Sequence, residues 1–171
     1  MRFRVWHAVA IFIVTNLASG LAAGLQGDAA FYNSLKQPSF APPAWLFPPM
    51  WLFLNITSLI ALTRVANSSR GTRRSIFLIA EACFWVLFAS FALLFFVLQS
   101  PVLGLVNTAL SLVATVVSVL AIGRSDLRAT LCLLPRLAWL TLATAAGVQL
   151  AVNNHDPLFS SSSTTRQASV P

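Results

Sequence analysis

The chain has 171 residues, of which 57% are hydrophobic and only 9% charged, and its mean hydropathy is +0.79; this balance falls outside that of soluble domains and indicates a single membrane domain. Its net charge of +7 is not a nucleic-acid footprint, because the basic residues stand at the ends of apolar runs and form no stripe with interleaved aromatics. Ordinary hydrolytic or redox catalysis also lacks support: there is no Ser/His/Asp set, no paired carboxylates, no phosphate-cradling glycine loop and no metal-ligand spacing. No catalytic residue or metal ligand is therefore assigned. Cys83 and Cys132 lie in apolar runs without redox spacing and read as small buried hydrophobes.

In chain order, Met1-Arg-Phe-Arg4 precedes an uncharged run from Val5 to Gly27. A basic start and small residues at 18–24 imitate a signal peptide, but the run is longer than a signal h-region, so residues 5–26 are read as the first span. The linker from Asp28 to Pro43 carries Phe31, Tyr32 and prolines, and is long enough to fold over a bundle mouth as a lid. Residues 37–51 hold five of the nine prolines and two of the five tryptophans. No charge occurs from Gln37 to Thr63, and a span needs about 20 apolar residues, so the second span must start near residue 43 and run to 63. Pro48 and Pro49 are then expected inside that helix, freeing the carbonyls of Ala44 and Trp45 and bending it. Phe47, Trp51, Asn55 and Ser58 share one face, aromatic at one end and polar further in, which suits a ligand cavity better than lipid. Trp45 is divided between an interfacial belt and the cavity; Trp51, over a turn deeper, is expected to point inward.

The 42 residues from Ala82 to Gly123 are uncharged, enough for two spans, 75–98 and 102–122, turned at Gln99-Ser-Pro101. The fifth span takes 131–152 after Arg124-Ser-Asp-Leu-Arg128, and the Ser/Thr-rich tail 153–171 offers little to bury and reads as disordered. The fold class is an all-α membrane protein, a bundle of five transmembrane helices. Five spans place Arg2, Arg4, Arg64, Arg70, Arg73, Arg74, Arg124 and Arg128 on one side, against Lys36 and Arg166 on the other. The positive-inside rule then predicts a cytosolic N-terminus. The triplets Asn55-Ile-Thr57 and Asn67-Ser-Ser69 are expected to stay unglycosylated, the first in a span and the second in the basic loop.

Glu81 and Arg136 lie inside spans, each about 8 Å deep by this placement, where ionisable residues are costly and pair or face a cavity. Two arrangements are open: a pair across the bundle floor, or an Arg136 that snorkels to the headgroups above a protonated Glu81. Glu81, Trp85 and Phe88 share a face, so the same floor is a candidate ligand contact.

Residues 31–51, Phe-Tyr-Asn-Ser-Leu-Lys-Gln-Pro-Ser-Phe-Ala-Pro-Pro-Ala-Trp-Leu-Phe-Pro-Pro-Met-Trp, closely resemble the hallmark of the tryptophan-rich sensory protein / translocator protein family (TspO/MBR), roughly W-Y-x-x-L-x-K-P-x-[WF]-x-P-P-x-W-[VL]-F-[GP]-P-x-W. Residues 126–139, Asp-Leu-Arg-Ala-Thr-Leu-Cys-Leu-Leu-Pro-Arg-Leu-Ala-Trp, are similar to its D-x-x-A-x-x-L-x-x-P-Y-L-x-W. The resemblance covers nearly the whole chain. It implies a five-helix bundle, usually a homodimer, with a pocket open on the lid side that takes porphyrins, haem-pathway tetrapyrroles and, in some members, sterols or synthetic aromatic ligands. Trp51 and Trp139 match the family's pocket tryptophans, which in some members are credited with light-dependent breakdown of protoporphyrin; transport and stress signalling are also proposed for the family.

The departures from the family pattern are Phe31 for Trp, Gln37 for Lys, Trp85 for Asn, Phe88 for Trp, Arg136 for Tyr and Gly147 for Asn. Tyr32 is the only tyrosine, so the family's sterol-recognition pattern late in the fifth span is missing and sterol is a less favoured partner than porphyrin or membrane lipid. The candidate ligand-binding residues are Tyr32, Pro42, Phe47, Trp51 and Asn55 from the lid and second span. Glu81 and Phe88 from the third span and Trp139 and Ala143 from the fifth complete the set. The expected ligand is porphyrin, bound without a covalent cofactor: a flat apolar macrocycle gains by stacking on aromatic faces and leaving water. Lys36, Gln37, Tyr32 and lid N–H groups are candidate partners for its propionates. His7 and His155 lie outside any plausible pocket, so metal-free porphyrin suits the site better than haem. The home membrane is bacterial, or that of an organelle in a eukaryote.

Overall fold

The computed structural model describes residues 3–24, 28–68 and 71–159. Arg2, Arg70, Arg166, Ser69, the end of the first expected span and the tail from 160 lie outside the described residues. The helices are α1 (Val5–Gly24), α2 (Asp28–Ser34), α3 (Phe47–Ser68), α4 (Thr72–Ala92), α5 (Pro101–Ile122) and α6 (Leu127–Asn153). A 3₁₀ turn, Ala44–Leu46, leads into α3, and a π-helical stretch, Leu93–Val97, extends α4. No strand occurs among the described residues.

Four helical segments are long and apolar enough to cross a membrane: Ala44–Ser68, Thr72–Val97, Pro101–Ile122 and Leu127–Asn153. The stretch Val5–Leu21 of α1 is apolar but shorter. Around the bundle the neighbours run α1, α3, α6, α5, α4 and back to α1, so α3 and α6 share a wall although two helices lie between them in sequence.

The helices bury polar residues within an apolar core and turn apolar faces outward. On α3, Asn55 and Ser58 are buried while Phe53, Ile56 and Ile60 face out; on α5, Asn107, Ser111, Thr115 and Ser118 are buried while Val113 and Leu120 face out. In hydrocarbon every polar group must be satisfied internally. Thr108, Ser111 and Thr115 accordingly donate to the carbonyls one turn back, at 2.8, 2.9 and 2.8 Å, and Asn107 Nδ2 reaches the Leu87 carbonyl and Ser90 Oγ on α4. Small hydroxyl residues also let α4 and α6 approach α5 closely. Cys83, expected to be buried, instead faces out from α4, and Cys132 is half-buried.

The prolines sit differently from the sequence expectation. Pro48 and Pro49 occupy the first turn of α3, where a missing N–H costs nothing, and the preceding 3₁₀ turn gives the Ala44 carbonyl a donor in Phe47 N–H. The helical segment still starts near residue 43, because the two kinds of turn follow one another without a break.

Two helix starts lie earlier than expected, at Thr72 and Leu127, since Arg73, Arg74 and Arg128 enter the first turns instead of ending the apolar runs. Asp126 caps α6, accepting from Ala129 N–H at 3.1 Å, and takes Arg64 Nε on both oxygens at 2.7 Å. At the opposite end Ser100 caps α5, with Pro101 in the first position. Residues 153–159, expected in a disordered tail, are tied down there. Asp156 accepts from Ser100 Oγ at 2.6 Å and Val102 N–H at 3.0 Å, and Asn154 exchanges two hydrogen bonds with the Lys36 backbone.

Hydrogen bonding from Arg64, reinforced by backbone N–H groups, holds the Asp126 carboxyl below the usual carboxylate range despite burial. Burial pushes Asp156 up, but hydrogen bonds from Ser100, Val102, Leu158 and Phe159 together outweigh it and leave it low as well. A carboxyl with a depressed folded pKa contributes stability that is full above its unfolded value, about 3.9, and is lost as pH falls through the folded value. Thermal unfolding in detergent should therefore move to lower temperature as pH drops below about 4, and Asp126→Asn should flatten part of that slope. Gly104 carries a second expectation: a Cβ there would lie 2.4 Å from Phe95 Cδ2. Gly104→Ala should lower stability by about 1–3 kcal/mol, read as a fall in unfolding midpoint.

Candidate functional site

The lid closes the end of the bundle opposite the arginine-rich loops. Tyr32 on α2 is buried, donates its hydroxyl to the Pro42 carbonyl at 2.8 Å and meets Phe47 edge-on with centroids 5.1 Å apart. Gln37 Nε2 donates to the Tyr32 carbonyl at 2.6 Å. Phe31 and Tyr32 rest with Phe95 and Leu150 in a small apolar cluster. The side-chain donors of Tyr32 and Gln37, expected to await propionates, thus hold the lid closed, and Lys36 is exposed beside them.

Beneath the lid lies a cavity of about 360 Å³ reached by α1, α3, α4, the π-helical stretch, α5 and α6. Its aromatic walls come from Phe47 and Trp51 on α3, Phe84, Phe88 and Phe91 on α4, Phe95 and Phe96 beyond it, and Trp139 on α6. Polar groups are few: Asn16 and Ser19 on α1 and Asn107, Thr108 and Ser111 on α5. Trp51 meets Phe88 at 5.1 Å and Phe47 meets Trp139 at 5.7 Å, so the α3 face forms one side of the hollow and turns toward α4 and α6. Trp139 is 7% exposed, and its Nε1–H has no hydrogen-bond partner among the described residues. Trp45, by contrast, is 71% exposed and outside this cavity.

Of the sequence-derived candidates, Tyr32, Pro42, Phe47, Trp51, Phe88, Trp139 and Ala143 line the cavity. Asn55 and Glu81 do not. Asn55 is fully buried against α1, its Nδ2 3.3 Å from Asn16 Oδ1, so it is Asn16 that reaches the hollow. Glu81 is engaged by Arg136 and by Ser118 Oγ at 2.8 Å. The aromatics at 84, 91, 95 and 96 and the polar residues at 16, 107, 108 and 111 were not among the candidates. Asn16 and Asn107 carried a readable signal, as amide side chains in otherwise apolar runs; the phenylalanines did not stand out from thirteen in the chain.

Below the cavity, Arg136 and Glu81 form a bidentate pair, Nη1 to Oε2 at 3.0 Å and Nη2 to Oε1, with side chains 0% and 1% exposed. Arg136 Nη1 also donates to Ser58 Oγ at 3.2 Å, and its guanidinium carbon stands 3.8 Å above the Phe84 ring. The pair joins α3, α4, α5 and α6. Both residues are nine positions inside their helices, about 14 Å along the axis, deeper than the 8 Å expected because the helices begin earlier. Snorkelling is thereby excluded, and the paired arrangement holds.

A profile of the TspO/MBR family matches residues 8–152. The chain belongs to the TspO/MBR family. It is an integral multi-pass membrane protein, as the family and the apolar helices require. It is 34% identical over 115 residues to the "Tryptophan-rich protein TspO" of Chlorobaculum tepidum, which covers 67% of this chain and 73% of that one. It is 28% identical over 152 residues to the protein of the same name from Archaeoglobus fulgidus, covering 83% and 96%. A shorter match of 57 residues, 37% identical, links it to "Protein CrtK" of Rhodobacter capsulatus, over 33% and 36%. Arg136 and Glu81 together bring charge into the bundle, and Trp85 packs edge-on to Phe84 beside them.

Replacing a buried pair by apolar residues of similar volume is often neutral, whereas stranding one charge costs about 3–5 kcal/mol. Arg136→Met should therefore lower the unfolding midpoint sharply, and Glu81→Leu added to it should restore most of the loss. A double-mutant cycle by thermal unfolding in detergent checks this.

Proposed function

We propose that this protein is a membrane receptor for porphyrins, with metal-free tetrapyrroles of the protoporphyrin type as its preferred ligands. The observation that supports this most is the single hollow into which Trp51, Phe88 and Trp139 converge from three helices beneath an aromatic lid. A planar macrocycle stacks on such rings and leaves water at roughly 25 cal/mol per Å². The unpaired indole N–H of Trp139 is a donor for a ligand acceptor, since buried donors gain from a partner. No histidine is among the cavity residues, so axial ligation of haem iron is not part of the proposal.

The volume adds a condition. About 360 Å³ lies near the lower end of ligand pockets, about 300–1,000 Å³, so a tetrapyrrole enters with the lid raised and its propionates left at the mouth near Lys36. Smaller aromatic or lipidic molecules fit with the lid closed. Arg4, Arg64, Arg73, Arg74, Arg124 and Arg128 gather at the end away from the lid, which under the positive-inside rule puts that end, and the N-terminus, in the cytosol. The ligand then enters from the far side, in keeping with transport or sensing of tetrapyrroles. The opposing reading, a small transporter or packing subunit with structural tryptophans, draws on the ring contacts Trp51–Phe88 and Phe47–Trp139 themselves.

Titration of protoporphyrin into the purified protein should give saturable tryptophan quenching and a matching change in porphyrin absorbance. Trp51→Phe with Trp139→Phe should weaken that binding about tenfold or more. Unchanged affinity in the double variant would leave the tryptophans as packing.

A further inference from the structure

Neither Glu81 nor Arg136 lines the cavity, yet the pair stands directly behind one of its walls, Phe84. The guanidinium lies 3.8 Å from the Phe84 centroid. Phe84 stacks on Phe88 with planes 23° apart and centroids 6.4 Å apart, and Phe88 meets Trp51 at 5.1 Å. Phe84, Phe88 and Trp51 are all cavity walls, and Phe84, with no exposed surface, stands between the hollow and the charge.

We propose that Arg136, held by Glu81, is a positioning and specificity-determining residue that acts on the cavity through Phe84, biasing it toward planar, electron-rich aromatic ligands and away from aliphatic ones. This rests on the receptor reading above.

Two effects combine. A guanidinium is always charged and stacks flat on an aromatic face, so Phe84 is fixed in one orientation and fixes Phe88 in turn. The face of an aromatic ring is negative, and a cation behind Phe84 draws that density away from the hollow, leaving a surface on which an electron-rich macrocycle stacks more favourably. In this interior the influence of the charge is weakly screened. The carboxylate of Glu81 does not cancel it, because it grips the Nη edge of the guanidinium while the central carbon faces the ring. Ser58 and Ser118 complete the clamp from α3 and α5, which keeps the guanidinium over Phe84 and not over another ring. An aliphatic chain has no π system and gains nothing from this arrangement.

The test compares protoporphyrin with a bromine-labelled fatty acid, both read by tryptophan quenching. In Glu81→Leu/Arg136→Met the unfolding midpoint should be preserved, protoporphyrin affinity should fall about tenfold, and fatty-acid affinity should stay unchanged. Phe84→Leu, which keeps the ion pair and removes the ring, should shift the same ratio in the same direction and carries the test if the double variant does not fold. A wild-type ratio in either folded variant, or an equal loss for both probes, overturns the inference, since a merely structural role moves both or neither. If wild-type protein binds no protoporphyrin saturably, the receptor reading falls and takes this inference with it; wild-type binding with unchanged variant ratios sinks the inference alone.

Discussion

An arginine placed about 14 Å into a membrane bundle must be neutralised where it stands, and the interior of this protein is arranged around that requirement. Arg136 on α6 takes Glu81 from α4, Ser58 from α3 and the face of Phe84, and Glu81 is steadied by Ser118 from α5. Leaving either charge alone in such surroundings is costly. The four helices are thus locked in one relative register at the floor. Among the described residues no ion pair joins the upper halves of these helices, and it is in that half that the hollow opens.

The upper end is held by different means. The lid is pinned through Tyr32 to Pro42 and through Lys36 to Asn154, and the segment after α6 is anchored to the start of α5 by Asp156. The π-helical widening at Leu93–Val97 turns Phe95 onto Gly104 and under the lid. Apart from the buried carboxylate of Asp156, these contacts are neutral hydrogen bonds and ring packings, each worth about 0.5–1.5 kcal/mol. A firmly clamped floor beneath a lightly fastened lid is a sound basis for a site that must open to admit a ligand larger than its closed volume.

Much of this was legible in the residues. Runs with few or no charges located the four long apolar helices and the shorter one, because an unpaired charge within hydrocarbon is costly. The hallmark from Phe31 to Trp51 identified the lid and the aromatic face of α3. Glu81 and Arg136 stood out as charged residues far inside apolar runs, though the sequence left open whether they pair or Arg136 snorkels. What stayed hidden depended on local chemistry. Arg73, Arg74 and Arg128 marked the ends of apolar runs but not of helices, since long basic side chains extend out of a first turn. Pro48 and Pro49 read as interior prolines that free the Ala44 carbonyl, whereas a 3₁₀ turn precedes them and supplies Ala44 with a donor. The π-helical stretch has no glycine or proline to signal it, and Asn154 and Asp156 look like ordinary tail residues until the lid and Ser100 are placed beside them. Glu81 and Asn55 shared faces with cavity residues, yet each is bound to a nearer partner.

Set against its family's pattern, the chain keeps Trp51 and Trp139 and changes what stands behind them. At the floor, Arg136 is paired with Glu81 and covered by the ring of Phe84, with Trp85 packed edge-on to it. The account turns on whether a tetrapyrrole occupies the hollow between α3 and α6. A structure determined with protoporphyrin bound in a lipid nanodisc tests this most directly: the macrocycle should lie against Trp51, Phe88 and Trp139 with its carboxylates toward Lys36. A macrocycle on the lipid-facing surface, with the hollow collapsed, would contradict it.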